Sequence, residues 1–515
     1  MNLTQSVHRS LQQHPDAEIT IFGSRVRTAV EHADRVARLA GALSHLGVQQ
    51  GDRVGLLALN SDRYLETLLA VPWAGGVVTP LNTRWSSPEI TYALDDSQTS
   101  VLFVDAAFAP MLPDLKKSSS VLRTVVFMDD GAAPTGTLGY EGLIVGSAPI
   151  VDTHRSGDDL AGIFYTGGTT GEPKGVAISH ASLITSAIGS QGTFPIMVPG
   201  GRLLHTAPMF HLAGLAAWIM QSMVGGTHVI LPGFDPAEVL RAIEEHGVTS
   251  SLLVPTMIQM VVDHPEAKER ELASLRVVLY GASPISTAVL DRAMKCFSAA
   301  EFVQAYGMTE LAPVATLLTP SDHRDESLLR SAGRSAVHSQ MKIVDEDDTE
   351  VPTGTVGQIL VRGGHVMREY WGKPEETAAA LKGGWMHTGD AGYIDERGYL
   401  FVVDRVKDMI ISGGENIYST EVENAVAKHP AVAACAVIAV PDERWGERVH
   451  AVVVCRAGVE VTEAELQEHT RALIASYKIP RSIEFRASLP ISGAGKILKR
   501  EMRAEYWKEG ERGIN

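Results

Sequence analysis

The sequence predicts an α/β protein: a large N-terminal domain of parallel-rich βα sheets with a strand-rich subdomain, followed by a small α+β C-terminal domain. Three observations lead there. Apolar runs with the length of buried strands alternate with amphipathic helical stretches along most of the chain. The chain has 515 residues, too many for one ordinary core. The alternation gives way to short β-like pieces after Ser331, and a compact α+β pattern starts near Asp404. The boundary is placed at a short hinge, giving domains 1–404 and 405–515.

The elements follow in order. Val54–Leu59 reads as a strand, Arg63–Ala74 as a helix and Val77–Leu81 as a strand. Leu160–Phe164 (LAGIF) is a buried strand. The apolar run from Leu212 to Val224 is interrupted by Gln221 and is shorter than a bilayer span, so it reads as a buried helix. Thr227–Leu231 is a strand that leads into a well-marked helix. Asp235 is its N-cap, Pro236 takes the first helical position, and Glu238 stands where a capping box needs it. Val239, Leu240 and Ile243 form the apolar stripe, and Gly247 ends the helix. Ser251–Val254 and Val277–Tyr280 are further buried strands. Met341–Val344 and Gln358–Val361 are β pieces of the strand-rich segment Ser331–Tyr399. In the C-terminal domain, Ser419–Lys428 and Glu463–Ile474 read as helices, and Ala434–Val440 and His450–Val454 as strands.

Composition excludes several functions. Net charge is −16, which argues against a general nucleic-acid surface, because phosphate backbones call for clustered Lys and Arg. An anionic ligand must therefore meet local basic groups. Such groups collect between Lys478 and Arg503, where most read as solvated helix-end charges. The three cysteines, Cys296, Cys435 and Cys455, have no metal-ligand spacing, so no disulfide framework is expected and a reducing cytoplasm fits. The N-terminus lacks an apolar signal core, and no membrane anchor is expected.

The motif with the most chemical content is YTGGTTGEPKG at Tyr165–Gly175. Its glycines let backbone N–H groups approach an anion closely, its threonines add hydroxyl donors, and Lys174 adds a cation. A cation about 4 Å from a phosphate gains roughly 4 kcal/mol at an effective dielectric near 20. Thr166, Gly167, Gly168, Thr169, Thr170, Gly171 and Lys174 thus describe a loop for nucleotide phosphates, placed after a strand as ligand loops of parallel sheets are. It is not a Walker A loop, since Gly175 rather than Ser or Thr follows the lysine.

Further segments accompany it: GASPI at Gly281–Ile285, YGMTE at Tyr306–Glu310, WMHTGD at Trp385–Asp390, DRVKDMIISGGENIY at Asp404–Tyr418, and ISGAGK ending at Lys496. In order and spacing, over nearly the whole chain, they resemble the acyl-adenylate-forming superfamily of acyl-CoA synthetases, adenylation domains and firefly luciferases. The resemblance implies ATP, Mg²⁺ and CoA as cofactors. A carboxylate would attack the α-phosphate of ATP, giving an acyl-AMP and pyrophosphate, and a thiol would then expel AMP. It further implies that Tyr306 packs on adenine, with Gly281, Ala282, Ser283 and Gly307 beside it. Thr309 supplies a phosphate hydroxyl and Glu310 a hard oxygen for Mg²⁺. Asp390 is the expected ribose partner, because one carboxylate can accept both ribose hydroxyls. Arg405 meets the ribose or the α-phosphate, and Lys407 takes the family's hinge position. Lys496 is the expected adenylation residue. By the same resemblance it reaches the carboxylate and α-phosphate in one orientation of a mobile C-terminal lid, and Gly413 and Gly414 pass pantetheine in the other. The sequence departs from the pattern at Gly167, Ala494 and Ser419, where serine, threonine and proline are common; no essential charge is lost.

PMFHLAG at Pro208–Gly214 resembles the segment that gates the acyl tunnel. His211 would stand near the reacting carboxylate, with Ala213 where the coumarate-CoA ligases carry a larger aromatic. Gly214, Ala305, Met308, Pro313 and Val314 complete the expected lining, which is small and apolar. That predicts a small-molecule monocarboxylic acid with a fatty or aryl tail. The alternatives are a ligase delivering to a separate acyl carrier protein, a luciferase-like oxygenase, and an inactive nucleotide-binding protein. Nucleic acid is not an expected partner, and a homo-oligomer is left open.

Overall fold

The computed structural model describes residues 2–166, 173–283, 285–405, 408–412, 415–442, 444–491 and 497–507. The chain divides into two compact units, one of residues 1–341 and 361–386, the other of residues 342–360 and 387–515.

The first unit is built on two large sheets. In one, Arg202–His205, Thr227–Ile230, Ser250–Leu252, Val277–Gly281 and Glu301–Gly307 run parallel with Glu18–Phe22. Antiparallel strands, Arg25–Thr28 on one side and Val314–Leu318 with Arg334–Ser335 on the other, close its edges. In the second sheet, Arg53–Leu57, Val77–Pro80, Val101–Val104, Thr124–Phe127 and Leu138–Gly139 run parallel with Leu160–Thr166. Lys174–Ser179 then returns antiparallel along Leu160–Thr166, and Glu369–Tyr370 adds the edge. These sheets bear out the βα alternation, because fully apolar strands such as VLFV at 101–104 are buried on both faces by helices.

Local chemistry sets the helix ends. Asp235 accepts from the Glu238 N–H at 3.0 Å, Pro236 opens the helix Pro236–His246, and Gly247 closes it with φ +59°. The expected capping box is not made as drawn: the Glu238 carboxylate pairs with Arg241 one turn along the helix. Val239, Leu240 and Ile243 are fully buried, as their spacing predicts. The apolar run at 212–224 forms the buried helix Leu212–Met223. Among the described residues no helix is long and apolar enough to cross a membrane.

The second unit holds most of a four-stranded sheet in the order Gln340–Val344, Gly357–Arg362, Met386–Ile394, Leu400–Arg405. It also holds a sheet of Glu415–Ile417, Ile410–Ser412, Gly446–Cys455 and Val432–Asp442, with Ser482–Phe485 paired to Gly446–Cys455. Helices Ser419–Val426 and Glu463–Arg471 pack on the latter through Val422, Val426 and Leu466.

Candidate active site

The strand Leu160–Thr166 delivers the glycine-rich loop, and the return strand begins at Lys174, in register with Thr166. Gly167, Gly168, Thr169, Thr170 and Gly171 lie outside the described residues, as do Lys407, Gly413, Gly414 and Lys496. The base of the loop is tightly packed. A Cβ on Gly175 would stand 2.8 Å from Ile163 and 3.1 Å from the Tyr165 ring. The Tyr165 hydroxyl donates to Asp96 at 2.5 Å, and the Trp371 indole N–H donates to the Asp96 carbonyl at 3.1 Å.

The edge strand Glu369–Tyr370 brings in one residue that no motif pointed to. The Tyr370 hydroxyl donates to Glu310 Oε1 at 2.8 Å, and its ring lies 5.2 Å from the Lys174 ammonium. Lys174 also pairs with Glu376, on the short helix Pro374–Ala380. Met367 N–H holds the Glu310 backbone carbonyl at 2.7 Å. Thr166, Lys174, Tyr370 and Glu310 are thereby joined, although Glu310 and Tyr370 are 60 positions apart. Glu310 is 6% exposed, within the 3₁₀ turn Thr309–Leu311. A buried carboxylate is a hard oxygen donor for magnesium, and a lysine near it supplies the counter-charge for phosphate. The donor set therefore fits a metal-bound polyphosphate.

At the carboxyl ends of two neighbouring parallel strands, Gly281 pairs with Ala305. A Cβ on Gly281 would stand 2.3 Å from the Ala305 carbonyl oxygen, so only glycine allows this approach. Ala282 then turns left-handed at φ +67°, a conformation that costs an alanine about 1–2 kcal/mol. Tyr306 pairs across to Thr316, and the bulge between Tyr306 and Gly307 ends the regular ladder. Gly307 lies so close to the next strand that a Cβ would be 2.0 Å from the Pro313 carbonyl oxygen. Ser283, Met308, Thr309, Pro313 and Val314 belong to the same set of strand ends and turns. A crevice beyond the carboxyl ends of parallel strands is where such sheets bind ligands.

His211, Ala213 and Gly214 stand together at the start of helix Leu212–Met223. The His211 ring lies 4.7 Å from that of Phe210, and a Cβ on Gly214 would be 3.1 Å from the Pro208 carbonyl oxygen. Asn60 fixes the approach to this turn: its side chain donates to the Ala207 carbonyl at 3.0 Å and accepts from Met209 N–H at 2.8 Å. A lone Asn carries no signal of such a role in the sequence.

In the second unit, Asp390 and Arg405 face each other in adjacent antiparallel strands, 3.2 Å apart. The neighbouring Asp404 accepts from the hydroxyl of Ser419 at 2.6 Å. Lys499 bonds Ser419 at 2.6 Å and Glu423 at 2.7 Å. Burial raises the Glu423 carboxyl above its ordinary range and, with the Glu423 charge, pushes the Cys435 thiol up to about 12. Burial works against a charged Lys499, but the charges of Glu423 and Asp404 outweigh it and hold its pKa above the usual lysine value.

Comparison with known proteins gives this geometry a family. Residues 7–371 match the AMP-binding enzyme family, and residues 421–496 match the AMP-binding enzyme C-terminal domain. The chain is 40% identical over 503 residues to a feruloyl-CoA synthase of an Amycolatopsis species, covering 97% of this chain and 98% of the relative. It is 35% identical over 523 residues to the fatty acid–acyl-carrier-protein ligase ScoC of Streptomyces coeruleorubidus, covering 100% of this chain and 98% of that protein. The structure of the anthranilate CoA ligase AuaEII in complex with anthranoyl-AMP superimposes with a TM-score of 0.90 at 26% identity, over 98% of this chain and 97% of that one. The family match and the CoA-ligase relatives support an AMP-forming acid–CoA ligase. The chain belongs to the AMP-binding enzyme family.

Proposed function

We propose that this chain converts a monocarboxylic acid with a fatty or aryl tail to its acyl-AMP, with release of pyrophosphate, and passes the acyl group to CoA. The observation that carries this reading is the joining of Lys174 and Glu310 through Tyr370, at the base of the glycine-rich loop. Lys174, with Thr166 and the loop glycines, holds the phosphates, and Thr309 adds a hydroxyl. Magnesium bound at Glu310 would neutralise phosphate charge during the transfer. Gly281, Ala282, Ser283, Tyr306 and Gly307 receive the base. Asp390 accepts from the ribose hydroxyls, and Arg405 lies beside it. His211, Ala213, Gly214, Ala305, Met308, Pro313 and Val314 surround the acyl group. Lys496 stabilises the charge that develops on the α-phosphate as the carboxylate attacks. The segment 405–515 turns at Lys407 between the half-reactions, removing Lys496 and presenting Gly413 and Gly414 to the thiol.

The likeness to feruloyl-CoA synthase favours an aryl acid, and the likeness to ScoC supports a second reading, with a separate carrier protein as acceptor. A panel of aryl and fatty acids, assayed for pyrophosphate release with CoA and with a phosphopantetheinylated carrier, separates them. AMP release that depends on CoA supports the first reading. Turnover only with the carrier overturns it in favour of the second. Lys496→Ala should lose about 10²–10³-fold in adenylation while sparing thiolysis of supplied acyl-AMP. Gly413→Leu should do the reverse. Equal loss in both half-reactions would reject the turning lid.

A further inference from the structure

A second set of ligating groups lies in the first unit, outside the residues assigned above. His8 is on the helix Gln5–Gln13, and Asp152 and His154 sit in the segment that leads into strand Leu160–Thr166. Asp152 Oδ2 is 2.8 Å from His8 Nε2 and 3.4 Å from His154 Nδ1, and the three ligating atoms all lie within 4.8 Å of one another. A tetrahedral ion with bonds of about 2.05 Å sets its ligand atoms roughly 3.3 Å apart, so small side-chain adjustments convert this cluster into three corners of such a site.

The surroundings already hold the ligands in place. Thr4 donates its hydroxyl to Asp152 Oδ2 at 2.6 Å, and the His154 backbone N–H donates to Asp152 Oδ1 at 2.8 Å. The His8 ring stacks on Trp73 at 4.8 Å with a 25° interplanar angle. The segment between the ligands is itself fixed: Thr153 donates its N–H to the Trp73 carbonyl and its hydroxyl to the Pro72 carbonyl, each at 3.1 Å. Outer partners of this kind orient metal ligands and set affinity. Exposure is graded across the cluster. The Asp152 side chain is 1% exposed, His8 35% and His154 63%, so the carboxylate forms the floor and solvent reaches the open side. Two imidazoles and one carboxylate select a borderline transition metal over magnesium or calcium, which favour oxygen ligands.

We propose that His8 Nε2, Asp152 Oδ2 and His154 Nδ1 form a binding site for a divalent transition-metal ion of the zinc type, with water completing the coordination. Binding moves the proton shared between His8 and Asp152 to the ring's other nitrogen or to solvent, and replaces their hydrogen bond with two metal–ligand bonds. The ion ties the N-terminal helix to the segment that enters the phosphate-loop strand. It is separate from the magnesium assigned to Glu310, and the proposal stands whatever acid the enzyme takes.

The test titrates the metal-stripped full-length protein with Zn²⁺ by calorimetry, with Mg²⁺ present in excess, and follows thermal unfolding in parallel. The expected result is one zinc per chain and a raised melting temperature. His8→Gln and His154→Gln should each lose at least about tenfold in zinc affinity. His14→Gln, an exposed histidine just past the same helix, should bind as the wild type does. His154 is largely exposed, so its variant folds and keeps the test decisive. Absence of zinc binding by the wild type, or undiminished binding by either His8→Gln or His154→Gln, would overturn the three-ligand site.

Discussion

Tyr370 is the residue with the most consequential contacts outside the sequence motifs. Its hydroxyl fixes the Glu310 carboxylate at 2.8 Å while its ring faces Lys174. A hydrogen bond to a charged group is worth about 1.5–3 kcal/mol, which is roughly 10–100-fold in an equilibrium. Tyr370→Phe is expected to raise the Mg²⁺ concentration needed for half-maximal pyrophosphate release about tenfold or more, with an unchanged circular dichroism spectrum. A magnesium response like the wild type's would show that Glu310 is held by other means. Glu376 would act in the opposite sense, since its carboxylate occupies the ammonium that phosphate would engage in the proposed site. The pair is partly exposed, with Glu376 40% open, so screening limits its worth to about 0–1 kcal/mol. Glu376→Gln should therefore lower the KM for ATP by up to about fivefold with little change in kcat, read from initial rates. The motifs that carry the family match were legible in sequence, because each carries its chemistry in its residue types and neighbours. Tyr370 and Asn60 were not, because a lone tyrosine or asparagine acquires its partner only when distant segments meet.

At the scale of elements, the positions of helix caps were legible, while side-chain competition and exact strand limits were not. The helix Pro236–His246 announced both of its ends through Asp235 and Gly247, since capping is decided within a few residues. The Glu238 side chain went to Arg241, because a neighbour one turn away competes with the cap. Strand ends shifted by a residue or two, as at Arg53–Leu57 and Val77–Pro80, where pairing rather than hydrophobicity sets the limit. The close approach of the strands around Gly307 makes a direct prediction. Gly307→Ala would place a methyl group 2.0 Å from the Pro313 carbonyl oxygen, and relieving that clash is expected to cost about 1–3 kcal/mol. Gly233→Ala, which meets nothing within 4 Å, should leave the melting temperature near that of the wild type. Differential scanning calorimetry on both variants checks the contrast, and equal melting temperatures would contradict it.

The molecule as a whole buries imidazoles that its sequence gave no reason to think were inside. Burial lowers His32 and His180 to about 4 and His205 and His365 to about 3, and drives His228 down as well. His205 and His228 face each other at 2.9 Å in the core, where neither gains a proton readily. An unfolded histidine titrates near 6.5, so between that value and about 4 the unfolded chain takes up protons that the folded chain refuses. Stability must then fall as pH falls, by up to about 1.4 kcal/mol per pH unit for each such group. Burial of Glu66, Asp105 and Glu423 raises their carboxyls and opposes the trend, but these are fewer than the imidazoles named. The urea midpoint is expected to drop between pH 7 and pH 5, and a flat or rising midpoint would reject this account. Such burial is a property of the packed whole, which is why periodicity alone could not find it. One contact described above also constrains how this enzyme can diversify. Because a single phenol ring contacts both the Glu310 carboxylate and the Lys174 ammonium, neither charge can be retuned without disturbing the other. If the proposed acyl pocket holds, changes of acid preference are expected through the size and shape of side chains near His211 and Val314, while the Glu310–Tyr370–Lys174 contacts stay as they are.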